Sequence, residues 1–276
     1  MANYVQNTRK YDKWFKEGRG QGRNEDYKPW LHVRDVPSHG LSVRMPSLKA
    51  GRVLNLFSNN EFFPALMGEH HPYVTDMREQ YPLNPEQTRA IANQKNFPHP
   101  LSQDGDMVMT SDLLIDFAGW HVPRIVIQAK PFEKAAQDEA TRRKLIIEKV
   151  YWDSKNVPFY IFHDQMFPRD VRKNLNWMLT PLWWTTPHER LLELASYYAD
   201  AFKRYPNDFI GHTATRLNSQ LAENDPHYSA PATCFTEIRE LIAKQYLRFD
   251  LRKELAYLRG NDIFLDTRIL DLKVAA

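Results

Sequence analysis

The alternation of apolar and polar positions is clearest in the middle of the chain, where it predicts a β-hairpin. Val108–Phe117 and Val122–Lys130 both carry strand patterns, and residues 118–121 between them are typical of a turn. An amphipathic helix is expected to follow over Glu133–Asp153, and the apolar run Pro158–His163 predicts another strand. This succession predicts an α/β domain. The residues expected to face the core from the helix are Ile146, Ile147, Val150 and Tyr151.

The N-terminal region predicts a short helix over Asn7–Glu17, with Tyr11, Trp14 and Phe15 on one face. A basic, glycine-rich loop over residues 18–23 ends it. Two interpretations of this region stand side by side. The helix docks and the loop is a flexible linker, or the arginines and bare backbone of the loop approach DNA phosphates.

After Asp164 the pattern becomes mostly helical, and it ends in short strand segments around a turn at residues 260–262. Helices followed by a two-stranded wing predict an α+β winged-helix domain over 167–276, behind a first domain over 1–166. The expected elements are helices from His188 toward Tyr205, from Asp208 to Ala222 and from Thr236 to Gln245, then strands over 246–251 and 263–267.

Composition narrows the class of protein. No apolar stretch approaches the ~18 residues that span a membrane, and the N-terminus lacks the apolar core of a secretory signal. The lone cysteine, Cys234, excludes an internal disulfide and a cysteine-cluster zinc site. Through Asn60, eleven Lys and Arg stand against five Asp and Glu, a basic arm that suggests phosphate contacts. We therefore expect a cytoplasmic protein.

The hairpin carries the candidate chemistry. Period-two geometry puts Asp112 on one face of the first strand, and Gln128 and Lys130 on one face of the second. Metal-assisted phosphodiester hydrolysis needs hard oxygen ligands for Mg²⁺ and a cation beside the attacking water. D-x15-Q-x-K is a variant of the PD-(D/E)xK signature of restriction-endonuclease-like domains. An ordinary hairpin with polar ends is the alternative interpretation.

Around the hairpin, six segments occur in an order that resembles the TnsA family, the endonuclease partner in heteromeric bacterial cut-and-paste transposons. The resemblance covers nearly the whole chain and is strongest over residues 18–152. It implies a restriction-endonuclease-like catalytic domain. The segments are DYKPW (26–30), DVPS (35–38), DMREQYPL (76–83), HP (99–100), MTSD (109–112) and KLIIEKVYW (144–152).

The resemblance also implies the site. The catalytic Glu of the family matches Glu61, its metal-binding Asp matches Asp112, and its Gln-x-Lys matches Gln128 and Lys130. The implied metal is Mg²⁺, with Mn²⁺ able to substitute. Its ligands would be Glu61, Asp112, Gln128, the Ala129 carbonyl and water, and Lys130 would orient the attacking water.

Glu61 has a second interpretation. Ser58 and Glu61 match the S-x-x-E pattern of a capping box, so the carboxylate could serve only to begin a helix over about 60–68. Pro64 complicates that helix, because its ring excludes a hydrogen bond one turn in. We expect a metal ligand here on the strength of the flanking resemblance.

Two further carboxylates are secondary candidates. A strand is expected over Val74–Tyr81, with Asp76, Arg78 and Gln80 on one face. Asp76 is expected to order the site or to pair with an arginine. Asp116 is expected on the same strand face as Asp112 but farther along the strand, outside the immediate shell of a metal.

By resemblance, the chain is a metal-dependent endonuclease that cuts the 5′ strand of transposon-end DNA. The partner transposase TnsB would cut and join the other strand, and the ATPase regulator TnsC would contact the C-terminal domain. Three alternatives stay open. They are a catalytically silent scaffold that bridges TnsB, TnsC and DNA, a stand-alone transcription regulator, and a stand-alone restriction enzyme.

Overall fold

The computed structural model describes residues 8–35, 42–102 and 105–266. The chain forms two compact units, Met1–Met166 and Phe167–Ala276. Within the described residues, no helix is both long enough and apolar enough to cross a membrane.

The first unit is a mixed α/β assembly. Its described helices are α1 (Thr8–Lys16), α2 (Asn59–His70), α3 (Pro85–Gln94), α4 (Phe132–Gln137) and α5 (Glu139–Asp153). Its described strands are β1 (Val43–Ser47), β2 (Arg52–Leu56), β3 (Val74–Pro82), β4 (Leu101–Ser102), β5 (Gly105–Asp106), β6 (Thr110–Phe117), β7 (Arg124–Ala129) and β8 (Phe159–Phe162).

Four of these strands build the central sheet, in the order β3-β6-β7-β8. The first two pairings are antiparallel and β7 runs parallel to β8, so the sheet is mixed. Leu113 lies opposite Ile127 and Leu114 opposite Val126, which confirms the hairpin predicted from the alternation. β1 and β2 form a separate antiparallel pair, as do β4 and β5.

The core beside this sheet comes from α3 and α5. Leu114 and Val126 are fully buried and pack with Ile147 and Tyr151 of α5. Burial of each large aliphatic side chain contributes about 1.5–3 kcal/mol to stability, so this packing holds α5 against the hairpin. The prediction for Ile146 was wrong. Its side chain is 41% exposed, because it lies on the solvent face of α5.

The single helix predicted over Glu133–Asp153 is also wrong, since the structure has α4 and α5 in its place. Asp138 separates them in extended conformation, with its carboxylate accepting a hydrogen bond from the backbone N–H of Ala140 at 3.1 Å. An aspartate that accepts from the first turn begins a new helix. The polar residue in the middle of the pattern is therefore a cap.

The N-terminal helix α1 docks on the first unit through Trp14, which packs with Trp30 and Val108. Tyr11 contributes to the same cluster, whereas Phe15 is 64% exposed, contrary to the prediction. Phe15 is not part of the cluster that docks the helix.

The loop after α1 is packed against the unit, which contradicts the first of the two interpretations, a flexible linker. Arg19 is buried and donates to the Trp30 carbonyl at 3.2 Å and to Asp35 at 2.6 Å. Gly20 has φ +72°, and a Cβ there would lie 2.2 Å from the ring of Pro82. Arg19 holds the loop in place and is not a surface cation for phosphate.

The second unit contains the helices and the two-stranded pairing predicted from the sequence. Leu247 lies opposite Leu265 in an antiparallel pair only two residues long, and residues 260–262 between the strands form a 3₁₀ turn. The winged-helix assignment stays a prediction. The described elements are α6 (Arg169–Leu179), α7 (His188–Arg204), α8 (Ile210–Ala222), α9 (Thr233–Ala243), β9 (Leu247–Arg248) and β10 (Phe264–Leu265).

Candidate active site

The open end of the β6–β7 hairpin brings four of the expected site residues together. Asp112 is buried, and its Oδ2 accepts hydrogen bonds from the backbone N–H of Ala129 at 2.8 Å and from Lys130 Nζ at 3.2 Å. The backbone N–H of Asp112 donates to Gln128 Oε1 at 2.9 Å. The hairpin register thus converts residues 16 to 18 positions apart in sequence into direct neighbours.

Lys130 is held from two sides. Its Nζ donates to the Ala129 carbonyl at 3.0 Å as well as to Asp112, and its backbone N–H donates to Phe162 of β8 at 2.8 Å. Burial alone would lower the pKa of Lys130, but the carboxylates of Asp112 and Glu148 outweigh that effect and raise it. Lys130 is therefore an ammonium near neutral pH, a hydrogen-bond donor and not a base.

Glu61 lies in the first turn of α2, and it caps the helix as well as facing the site. Its backbone N–H donates to Ser58 Oγ at 3.3 Å, and its Oε2 accepts from the N–H of Phe57 at 2.9 Å. Burial, reinforced by the negative charge of Asp112, raises the pKa of Glu61 to about 8. The helix continues through Pro64 to His70, so the proline does not displace Glu61 from this turn.

Glu148 of α5 is a site residue that the sequence reasoning missed. It is buried, and its Oε1 accepts from Ser111 Oγ at 2.6 Å, while Trp152 Nε1 donates to the same hydroxyl at 2.8 Å. Burial, together with the charge of Asp112, raises the pKa of Glu148 to about 8. A glutamate one position after the buried Ile147, inside KLIIEKVYW, was the available signal.

These groups open onto a cavity of about 630 Å³ in the first unit. The polar side of its lining includes Asp112, Gln128, Lys130 and Glu148, and Trp14 of α1 and Trp30 form part of an apolar wall. Glu61 is not among its lining residues. The cavity is concave, largely apolar and carries a few convergent charged groups, the usual character of a binding site.

The donor set fits a hard divalent cation. Three buried acidic side chains, Glu61, Asp112 and Glu148, lie around the Lys130 ammonium, and a bound cation would favour the ionised forms of the two glutamates, whose pKa values are about 8 without it. Gln128 Oε1 and the Ala129 carbonyl add oxygens, each with a second lone pair. Among the described residues, no group of three or more His, Cys, Asp or Glu is arranged to hold a metal ion. Amide, carbonyl and water oxygens would complete such a site.

The two secondary carboxylates serve a different cluster. Asp116 accepts hydrogen bonds from Arg124, from Arg78 at 2.5 Å and from Arg23 at 2.7 Å. Asp76 lies opposite Asp116 across the strand pair and forms an ion pair with Arg78 at 3.2 Å, as expected of it. Burial alone would raise the pKa of Asp116, but the three arginines outweigh it and lower the pKa. The arginines in this cluster neutralise the two aspartates, which face each other across β3 and β6.

Comparison with known proteins points to one family. Residues 71–164 match the family described as "TnsA-like endonuclease N terminal". The chain is also 44% identical over 163 residues to the Escherichia coli protein named "Transposon Tn7 transposition protein TnsA". That alignment spans 59% of this chain and 59% of the relative. The family match contains Asp112, Gln128, Lys130 and Glu148, whereas Glu61 precedes it.

Proposed function

Since the chain belongs to the TnsA family, we propose that it is the metal-dependent endonuclease subunit of a Tn7-type transposon. It hydrolyses the 5′ strand at transposon ends with Mg²⁺, and Mn²⁺ substitutes. The observation that carries the proposal is the convergence of Asp112, Gln128 and Lys130 at one end of the hairpin, with Glu61 and Glu148 supplied by flanking helices.

Glu61 and Asp112 are the residues that would hold the cation, assisted by Gln128 Oε1 and the Ala129 carbonyl. A cation bound there would polarise the scissile phosphate and acidify a water molecule. Asp112 has its orientation set before substrate arrives, because Ala129 and Lys130 both donate to its Oδ2. That arrangement lowers the reorganisation needed during the reaction.

In the proposed reaction, Lys130 supplies a positive charge from the protein at the site. Its ammonium is pinned between Asp112 and the Ala129 carbonyl, so it presents its remaining donor capacity to the cavity at a defined position. It orients the attacking water and opposes the negative charge that develops on the phosphate. The water oxygen bonds to phosphorus and the bond to the 3′ oxygen breaks, which leaves a 5′ phosphate and a 3′ hydroxyl.

The partners follow from the same proposal. The substrate is transposon-end DNA, the other strand is cut and joined by TnsB, and the second unit contacts TnsC. The second unit acts as a winged-helix module in this arrangement. Its helices and its two-stranded pairing, Leu247–Arg248 with Phe264–Leu265, support this part of the proposal.

Strand-specific cleavage of a transposon-end substrate in the reconstituted reaction tests the proposal. Asp112→Asn and Lys130→Ala should lose the 5′-strand cut while the reaction of TnsB on the other strand continues. The matched control is the exposed ion pair of Lys149 and Asp153 in the same unit, in which Lys149 Nζ lies 2.7 Å from Asp153 Oδ2. Lys149→Ala and Asp153→Asn should cut as the wild type does.

The opposite result has a defined meaning. If Asp112→Asn and Lys130→Ala cut the 5′ strand at the wild-type rate, the site assigned here is wrong. The interpretation of the chain as a silent scaffold that bridges transposase, regulator and DNA would then replace it, provided that the complex still assembles.

A further inference from the structure

Gln80, within the segment DMREQYPL, has a backbone conformation that a strand residue rarely adopts. Its φ is +49°, in the left-handed region, although β3 runs without interruption from Val74 to Pro82. Residues other than glycine enter this region at a cost, and such strain persists where the surroundings enforce it. The strand therefore accepts an unfavourable conformation at this one position, and the contacts of the side chain indicate why.

The Gln80 side chain is buried and bridges two elements. Its Nε2 donates to Glu61 Oε2 at 3.3 Å, and its Oε1 accepts from Thr110 Oγ1 at 3.2 Å. Glu61 belongs to α2, and Thr110 is the first residue of β6 and lines the cavity. The amide therefore ties the Glu61 carboxylate to the strand that carries Asp112.

The register places Gln80 beside the second acidic residue as well. Glu79 lies opposite Leu113 and Tyr81 opposite Ser111, so Gln80 and Asp112 occupy corresponding positions between these two pairs, although they are not themselves paired. Phe57 and Ser58, which also donate to Glu61, belong to the start of its own helix. They fix the carboxylate relative to α2, whereas Gln80 fixes it relative to the sheet.

We propose that Gln80 is a positioning residue that sets the spacing between the Glu61 and Asp112 carboxylates for a divalent cation. The role of Gln80 in catalysis rests on the proposed function. Its direct effect, however, is on the affinity of the site for the cation, which can be measured separately. Without the Gln80 amide, the Glu61 carboxylate would be hydrogen-bonded only to residues at the start of its own helix. It could then turn away from Asp112. The site would then bind the cation more weakly.

Two variants separate this role from a purely structural one. Gln80→Gly removes the side chain and suits the left-handed φ, so relief of backbone strain offsets part of the stability lost with its two hydrogen bonds. Gln80→Asn also tolerates that conformation, but its amide is one methylene too short to reach Glu61. The matched control is Asn156→Gly, an exposed position with φ +56° that is not among the residues lining the cavity.

The probe is Mn²⁺ binding to the full chain, followed by electron paramagnetic resonance of the free ion, with the thermal midpoint measured in parallel. Gln80→Gly and Gln80→Asn should weaken Mn²⁺ binding about 10–100-fold, the usual effect of losing a group that orients a metal ligand. Both variants should still unfold in one cooperative transition, so that the weaker Mn²⁺ binding is measured on a folded chain. Asn156→Gly should leave Mn²⁺ binding unchanged.

Wild-type affinity for Mn²⁺ in Gln80→Gly would overturn the inference, and so would a wild-type chain that binds no Mn²⁺. Transposon-end cleavage separates this failure from failure of the proposed function. A wild type that binds Mn²⁺ but cuts no DNA, with weakened binding in both Gln80 variants, keeps the positioning role and removes the endonuclease. If the wild type cuts DNA and the Gln80 variants equal it in both Mn²⁺ binding and cutting, the endonuclease proposal stands and the positioning role of Gln80 is wrong.

Discussion

Lys130 Nζ lies 3.2 Å from Asp112 Oδ2 across the open end of the hairpin, where Asp112 is near the start of β6 and Lys130 directly follows β7. Both side chains are largely withdrawn from water, so the pair is stronger than a surface ion pair and more damaging to break. The pair also presets the two groups for chemistry on a phosphodiester. Its consequences can be measured on folding and on cutting.

Lys130→Met should reduce the rate of 5′-strand cutting about 10²–10³-fold, since it removes the ammonium that is hydrogen-bonded to Asp112. The methionine keeps the length of the apolar stem, and Ala129 still donates to Asp112 Oδ2. Single-turnover cleavage in the reconstituted reaction measures the effect. A rate within about threefold of wild type would remove Lys130 from the chemistry.

Glu148→Gln should stabilise the chain as pH rises. The folded pKa of Glu148 is about 8, above the value near 4.5 of an unperturbed glutamate, so folding favours its protonated form. The contribution of Glu148 to stability is therefore greatest below pH 4.5 and falls as pH rises toward 8, by roughly 1.4 kcal/mol for each unit of pKa difference. Glutamine does not titrate and avoids this loss.

Denaturant unfolding in metal-free buffer at several pH values tests this prediction. The difference in unfolding free energy between Glu148→Gln and wild type should grow between pH 5 and 8 and then level off. The control is Glu139→Gln on the exposed part of the same helix. If the difference in unfolding free energy did not change with pH, the raised pKa of Glu148 in the folded chain would be wrong.

Asp116→Asn should destabilise the chain at neutral pH by at most about 3–5 kcal/mol, because it removes the carboxylate charge that Arg78 shares with Arg124 and leaves the buried Arg78 with Asp76 alone. The pKa of Asp116 is lowered in the folded state, so its contribution is present above its unfolded value near 3.8 and is lost as pH falls through the folded pKa. The gap between wild type and variant should therefore narrow in acid.

Urea unfolding at pH 7 and at successively lower pH measures that gap. Asp153→Asn serves as the control, since its exposed ion pair with Lys149 should contribute at most about 1 kcal/mol. Equal destabilisation by the two substitutions at pH 7 would contradict the structural role assigned to the Asp116 cluster.

Gly20→Ala should destabilise the chain by more than about 1 kcal/mol. The added Cβ would lie 2.2 Å from Pro82 at a residue with φ +72°, so both the contact and the backbone oppose it. Gly211→Ala in α8 is the matched substitution, because its Cβ would meet nothing within 4 Å. It should be neutral or stabilise by up to about 1 kcal/mol. Thermal unfolding of both variants decides the comparison.

The sequence by itself determined the part of the site that depends on local geometry. Side chains alternate along a strand, and two strands joined by a short turn pair with each other, so Asp112, Gln128 and Lys130 were predicted to converge. The structure places them within hydrogen-bonding distance. The identity of Glu61 as a candidate came from family resemblance, since its local pattern equally predicts a helix cap.

Tertiary structure decided which residues reach that hairpin from elsewhere and which face of each element is covered. Glu148 and Gln80 meet the site because α5 and β3 pack beside the hairpin, contacts between segments far apart in sequence. Phe15 and Ile146 belong to apolar patterns but remain exposed, since burial requires an opposing surface. Periodicity specifies the faces of a helix or strand, and long-range packing selects which face leaves water.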